Sequence, residues 1–202
     1  MNQENRPLPL EPIFASDKDW HCNACLNWSG DAMELYILGY KKAADNLVAQ
    51  VMETSRHQDS LVFPVCFLYR QYIELRLKEV IRSGRRLLDE PGVFPPHHKI
   101  QHLWDCAVSI LKKVFAEEIE PPDLSIASHV VAEFSKLDPE SVAFRYPIDK
   151  QGANPLEGLR HINLRRVAEY VDAFAKIMDA GSMAISVYLD HKNEMTSYYQ
   201  GS

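Results

Sequence analysis

A chain of 202 residues with 46% apolar content has enough material for one sizeable core or two small ones. Its net charge of −6 argues against nucleic-acid binding through bulk charge and leaves only local basic faces for that purpose. The longest uncharged apolar run, LVFPVCFLY, has nine residues where a bilayer span needs ~20, so no membrane partner is expected. The polar, proline-rich opening MNQENRPLPLEP does not read as an export signal, and four cysteines without one read as reduced thiols in a cytoplasm.

Eight glycines are few for a protein built on hairpins, and long unpunctuated runs favour helices. Residues 1–30, with Pro7, Pro9, Pro12, Trp20 and Trp28, read as an extended arm lying over a main body of residues 31–192, with 193–202 as a tail. Tyr36, Tyr40, Ala43, Leu47 and Val51 recur every three or four residues and predict a helix over 31–54. Gly39 and Ala43–Ala44 are small enough for another helix to approach.

A second helix is predicted over 61–84, with Pro64 in its first turn and Gly84 at its end. Its wide apolar arc, from Leu68 and Tyr69 to Ile81, makes it central. Glu74, Lys78, Gln71, Arg82 and Arg85 share its polar side, while Arg76 projects from the apolar arc. An arginine so placed snorkels to water or pairs with a buried carboxylate in the ordinary reading, or holds a phosphate at a cleft in the sharper one. The run Arg70, Arg76, Lys78, Arg82, Arg85 and Arg86 reads as a solvated basic face.

A proline-rich loop precedes a third helix over about 98–116. Asp123 is placed to cap a fourth over 123–137, and Asn163 a fifth over 164–190, whose stripe is Leu164, Val167, Val171, Phe174 and Met178. Arg165–Glu169 and Asp172–Lys176 are spaced to pair along its exposed face. Between the last two helices, VAFRYPI reads as extended, with HINL as its partner in a short β-ribbon. The fold class is therefore all-α: an up-and-down bundle of about five helices, with that ribbon before the last helix.

Three constellations carry possible chemistry. His21, Cys22 and Cys25 offer one Cys-x-x-Cys, half of what a structural zinc site uses, so ordinary packing is preferred. His98, His102 and Cys106 fall at i, i+4 and i+8 on one helical face, but no Glu follows the first His as in a hydrolytic metal motif. No metal and no cofactor is expected. A basic group, Arg160, His161, Arg165 and Arg166, lies at the start of the last helix, where the helix dipole also favours an anion.

In PESVAFRYPIDKQG, Arg145 stands between Phe144 and Tyr146 with Pro147 ending the run. Together with YRQYIELRLKEVI and PPHHKIQHLWD, this arrangement resembles the HEPN family (higher eukaryotes and prokaryotes nucleotide-binding domains) over residues 31–190. The resemblance implies a compact helical bundle, often a homodimer, of a kind that acts in toxin–antitoxin, antiviral or RNA-processing systems. Active members are metal-independent ribonucleases marked by an Arg, four to six residues, then a His. No arginine here has a histidine at that spacing: after Arg145 those positions hold Lys150, Gln151 and Gly152.

The reading that follows is a non-catalytic module that binds RNA, a nucleotide or a protein partner, and self-associates. An atypical ribonuclease, using Arg145 or Arg160 with His161, is the first alternative. A purely structural dimeric protein is the second. Ligand-binding candidates are Arg76, His102, Arg145, Tyr146, Arg160, His161 and Arg165. Arg145 itself reads first as an anchor, its guanidinium locked by a carboxylate or helix-end carbonyls and its flanking rings at least partly buried.

Overall fold

The computed structural model describes residues 12–27, 30–116 and 122–200. The chain divides into two compact units, Met1–Ala32 and Met33–Ser202. In the first, Trp20–Cys22 makes a single 3-10 turn, and Asn23 closes on Asp17 by accepting its N–H at 2.9 Å and donating to its carbonyl at 2.7 Å. Cys22 and Cys25 are exposed free thiols, Trp20 is exposed, and Trp28 lies outside the described residues.

The second unit consists of α1 (Met33–Thr54), α2 (Gln58–Leu87), α3 (Ile100–Val114), α4 (Ser125–Leu137) and α5 (Leu164–Gln200), with no strand among the described residues. Each helix packs on its successor, and α2 also packs on α5, which makes α2 the centre of the bundle. Its own sequence explains this. Val65, Cys66, Tyr69, Tyr72, Ile73, Leu77, Val80 and Ile81 are all buried, so α2 is apolar over most of its girth and needs neighbours on several sides. α3 contributes Ile100, Leu103, Trp104, Ala107, Ile110 and Leu111, a regular three-four repeat. α5 contributes Val171, Phe174, Met178 and Ile185.

Several boundaries and faces differ from the sequence expectation. On α1 the buried face is Ile37, Ala44 and Val48, about one residue round from the stripe through Tyr36 and Ala43, both of which are exposed. α2 begins three residues early, so Pro64 sits in its second turn. Gly84 lies inside the helix because α3 comes too close for a side chain: a Cβ there would stand 2.2 Å from Cγ2 of Ile110. α5 runs on past 190 to Gln200, and Lys192 ties this extension to the end of α2 by donating to the Leu87 carbonyl at 2.8 Å and to Asp89 at 2.6 Å.

Two polar layers cross the core. Arg76 is buried, and its terminal nitrogens meet Glu34 of α1 at 2.8 and 3.0 Å, Asp179 of α5 at 3.1 Å and Glu79 at 3.5 Å. Burial alone would lower this guanidinium's pKa; the Glu34 hydrogen bonds and the nearby carboxylate charges outweigh it and raise the value. In the second layer, Lys41 bridges Asp45 at 2.8 Å and Asp172 at 2.6 Å, while Tyr69 donates to Asp45 at 2.8 Å. Asp172, with its side chain 52% exposed, thus pairs with α1 at the surface.

The expected ribbon does not form. Its amides are already committed: Asp138 Oδ1 accepts the N–H groups of Val142 at 2.6 Å and Ala143 at 2.9 Å, and the Val142 carbonyl accepts those of Arg145 and Tyr146. FRYP is a capped turn.

Candidate functional site

The turn that carries Arg145 is built from a buried arginine that sequence reasoning left on a solvated face. Arg70 of α2 has no exposed surface. Its Nε donates to the Asp138 carbonyl at 3.0 Å, one terminal nitrogen donates to the His98 carbonyl at 2.9 Å, and the other meets Glu74 at 3.3 Å. Asp138 Oδ2 makes no hydrogen bond but lies 3.3 Å from Arg70 Nε, so its charge is countered there. Asp138 Oδ1 then caps the turn. Ser141, buried with φ of 59°, is the residue forced into the left-handed region to make the corner.

The chain leaves this turn through Tyr146 and Pro147 and loops back. Asp149 Oδ1 accepts the N–H groups of Gln151 and Ala153, each at 2.9 Å, with Gly152 at φ of 82° supplying the tight reversal. Asn154 Oδ1 accepts the Leu156 N–H at 2.9 Å, and Asn163 Oδ1 accepts the Arg166 N–H at 3.0 Å as the cap of α5. Between these fixed points run Arg160, His161 and Ile162.

The two segments and the start of α2 enclose an open cleft of about 880 Å³. Its apolar lining includes Val62, Phe63, Phe144, Leu156 and Ile162, and its polar lining includes Asp59, Arg145, Arg160 and His161. Phe144 is buried, but Arg145 is exposed and Tyr146 is 55% exposed. The Arg145 guanidinium lies between two rings, 6.0 Å from the centre of Phe67 and 5.6 Å from that of Tyr146. Its Nε donates to the Ser141 carbonyl, which leaves both terminal nitrogens for a ligand. No hydrogen bond or ion pair among the described residues holds Arg160 or His161. The anchor at this junction is Arg70, and Arg145 faces the cleft.

Of the other candidates, Arg76 has both terminal nitrogens on carboxylates while its buried Nε has no hydrogen-bond partner, and Arg165 projects from the first turn of α5 outside the cleft lining. His102 lies elsewhere, its Nδ1 2.7 Å from His97 Nε2 and its Nε2 3.9 Å from the Cys106 thiol. His98 does not share that face: it precedes α3, and its Nδ1 meets Glu74 at 2.7 Å. No group of three or more His, Cys, Asp or Glu side chains stands at metal-binding geometry among the described residues. The Cys66 thiol is buried, and burial pushes its pKa up to about 12, so it is no nucleophile.

Glu74 and Lys78, expected on a solvated face, are buried under the proline-rich loop. Lys78 donates to Glu74 at 2.8 Å and sits 5.4 Å from the ring centre of Phe94. Burial would raise the Glu74 carboxyl, but hydrogen bonds from Lys78 and His98, with their charges, overcome this and hold it below the usual carboxylate range.

Chemically, the cleft offers two guanidinium groups and an imidazole to an anion, above an apolar floor with exposed rings at its edge. His161 has no carboxylate to orient it, which a general base of the familiar kind has. Set against family models, curated proteins and solved structures, the chain has no match.

Proposed function

We propose that this cleft binds single-stranded RNA or a nucleotide without cleaving it, in a HEPN-like module of a bacterial toxin–antitoxin or defence type system. One observation carries the reading. Arg145, Tyr146, Arg160 and His161, from two separate stretches of chain, line one open cleft; the terminal nitrogens of Arg145 and the whole of the Arg160 and His161 side chains have no hydrogen-bond or ion-pair partner among the described residues. Exposed cations facing an apolar-floored cavity suit a phosphate. Exposed Tyr146 and Phe63 suit bases, which stack on aromatic faces whatever their identity. The chain's net charge of −6 then confines nucleic acid to this cleft.

Fluorescence anisotropy with a labelled octauridine tests this. Two or three phosphate contacts predict a loss of roughly 7- to 20-fold in affinity between 50 and 200 mM salt. Arg145→Ala/Arg160→Ala should weaken binding at least about a hundredfold, with each lost charge-assisted contact contributing about 1.5–3 kcal/mol. Arg165→Ala should not. Equal binding by wild type and the double variant would remove the cleft from consideration.

The juxtaposition of Arg160 and His161 supports one second reading, an atypical metal-independent ribonuclease in which His161 moves the 2′-hydroxyl proton. RNA turnover in chelator, abolished by His161→Ala, would favour it over simple binding. Self-association belongs to the same proposal: Leu35, Leu38 and Met52 leave apolar surface on α1. Light scattering should give twice the 23.2 kDa chain mass, and a monomer at micromolar concentration contradicts it.

A further inference from the structure

Among the charged residues that line the cleft, Asp59 has the wrong sign for a phosphate site. It lies in the first turn of α2 and makes no hydrogen bond or ion pair among the described residues. None of Arg145, Arg160 or His161, which line the same cavity, is drawn to it. A carboxylate accepts hydrogen bonds only. Phe63 follows four residues later, which puts it on the same face of α2, and it is 45% exposed at the cleft. Gln58, also in the lining, adds an amide donor beside the carboxylate. The α2 wall therefore carries a ring, an acceptor pair and an amide, while the opposite wall carries the cations.

We infer that the α2 wall is a base-reading site selective for guanine, with Asp59 accepting the adjacent N1–H and N2–H donors of the base. This rests on the RNA- or nucleotide-binding reading given above and specifies what is bound. Gln58 donates to O6, and Phe63 supplies the stacking face. Guanine is the one RNA base that presents two neighbouring N–H donors on its Watson–Crick edge. Adenine and cytosine offer a single amino group, and uracil sets its one N–H between two carbonyls that a carboxylate repels. Reading of this edge is available to a single-stranded ligand and closed in a duplex.

The test compares labelled octauridine with the same octamer carrying one central guanine, by anisotropy, for wild type and Asp59→Asn. Wild type should prefer the guanine octamer about tenfold, as expected of one good bidentate contact. In Asp59→Asn the two octamers should bind within about twofold of each other, with octauridine affinity unchanged or slightly raised by loss of a repelling charge. Asp59 is exposed, and an unchanged circular-dichroism melt confirms that the variant folds. Equal binding of both octamers by wild type overturns the inference and leaves RNA binding intact. So does a guanine preference that survives Asp59→Asn, or a variant that strengthens both octamers alike. If wild type binds neither octamer, the RNA reading fails and takes this one with it.

Discussion

Arg145 and Arg70 show how two arginines with opposite fates look alike in a sequence. Arg145 sits between rings before a proline, which suggests a fixed junction. Its side chain is exposed, has one backbone partner and faces a cleft. Arg70 sits in a run of basic residues, yet every part of it is buried and it holds two backbone carbonyls and two carboxylates. Arg145→Lys should therefore change stability by less than about 0.5 kcal/mol in a thermal melt, while weakening octauridine binding. Arg70→Met should cost about 3–5 kcal/mol, because it leaves Glu74 and Asp138 charged in the interior. Chemical denaturation giving less than about 1 kcal/mol for Arg70→Met would sink this assignment. A signal for Arg70 was present in the sequence. It stands four residues after Cys66, three before Ile73 and seven before Leu77, in line with the most buried face of α2. Glu74, four residues on, is a partner that spacing could suggest, but nothing local could name the other two, which lie 28 and 68 residues away.

At the level of helices, apolar stripes found α1, α2 and α5, the breaks between runs bounded α3 and α4, and a side-chain cap found the start of α5. Asn163 holds the first turn of α5, whereas Asp123, expected to cap α4, receives the N–H and hydroxyl of Ser125 from one residue before the actual N-cap position, Leu124. Periodicity was less informative about which way α1 faces, since Leu35, Tyr36 and Leu38 are as apolar as the residues it buries. The ribbon failed for a different reason: the side chain of Asp138, four and five residues back, took the amides of Val142 and Ala143. Gly84 looked like a helix terminator, and its real constraint is the neighbour. Gly84→Ala should destabilise the bundle by about 1–3 kcal/mol through overpacking, since the blocking atom belongs to a stiff β-branched side chain. Adding Ile110→Ala removes that atom, so the double variant should cost clearly less than the sum of the two single ones, read by urea midpoints. Strict additivity would show that the close approach relaxes freely.

For the whole molecule, the buried charges set the response to acid. The Glu74 carboxyl is held low in the folded protein, so it contributes stability above the ordinary glutamate value of about 4.3, and that contribution is lost as pH falls through the lower folded value. Asp179 acts in the opposite sense. Burial raises its pKa, and Glu34 adds to the effect against the pull of Arg76, so its cost at neutral pH is relieved on acidification. Its side chain is 58% exposed, so solvent screens most of this. Glu74 therefore governs. Urea unfolding between pH 6 and pH 3 should show wild type losing its advantage over Glu74→Gln as the pH drops below about 4.3. Curves that stay parallel through that window contradict the assignment.

The Arg70 clamp also changes what kind of segment the cleft wall is. Val142 and Ala143 lie in a connection, outside any helix, where amides usually trade their hydrogens with water through small local openings. Here both amides end on Asp138, and Asp138 is held by a side chain that has no exposed surface and also holds the entry to α3. Freeing them requires breaking the centre of α2. Their deuterium uptake should therefore be as slow as that of the α2 core, while the amide of Leu159, bonded only within its own loop, exchanges orders of magnitude faster. The wall that presents Arg145 would then meet its ligand already in place, and the side of the cleft carrying Arg160 and His161 would supply the adjustment.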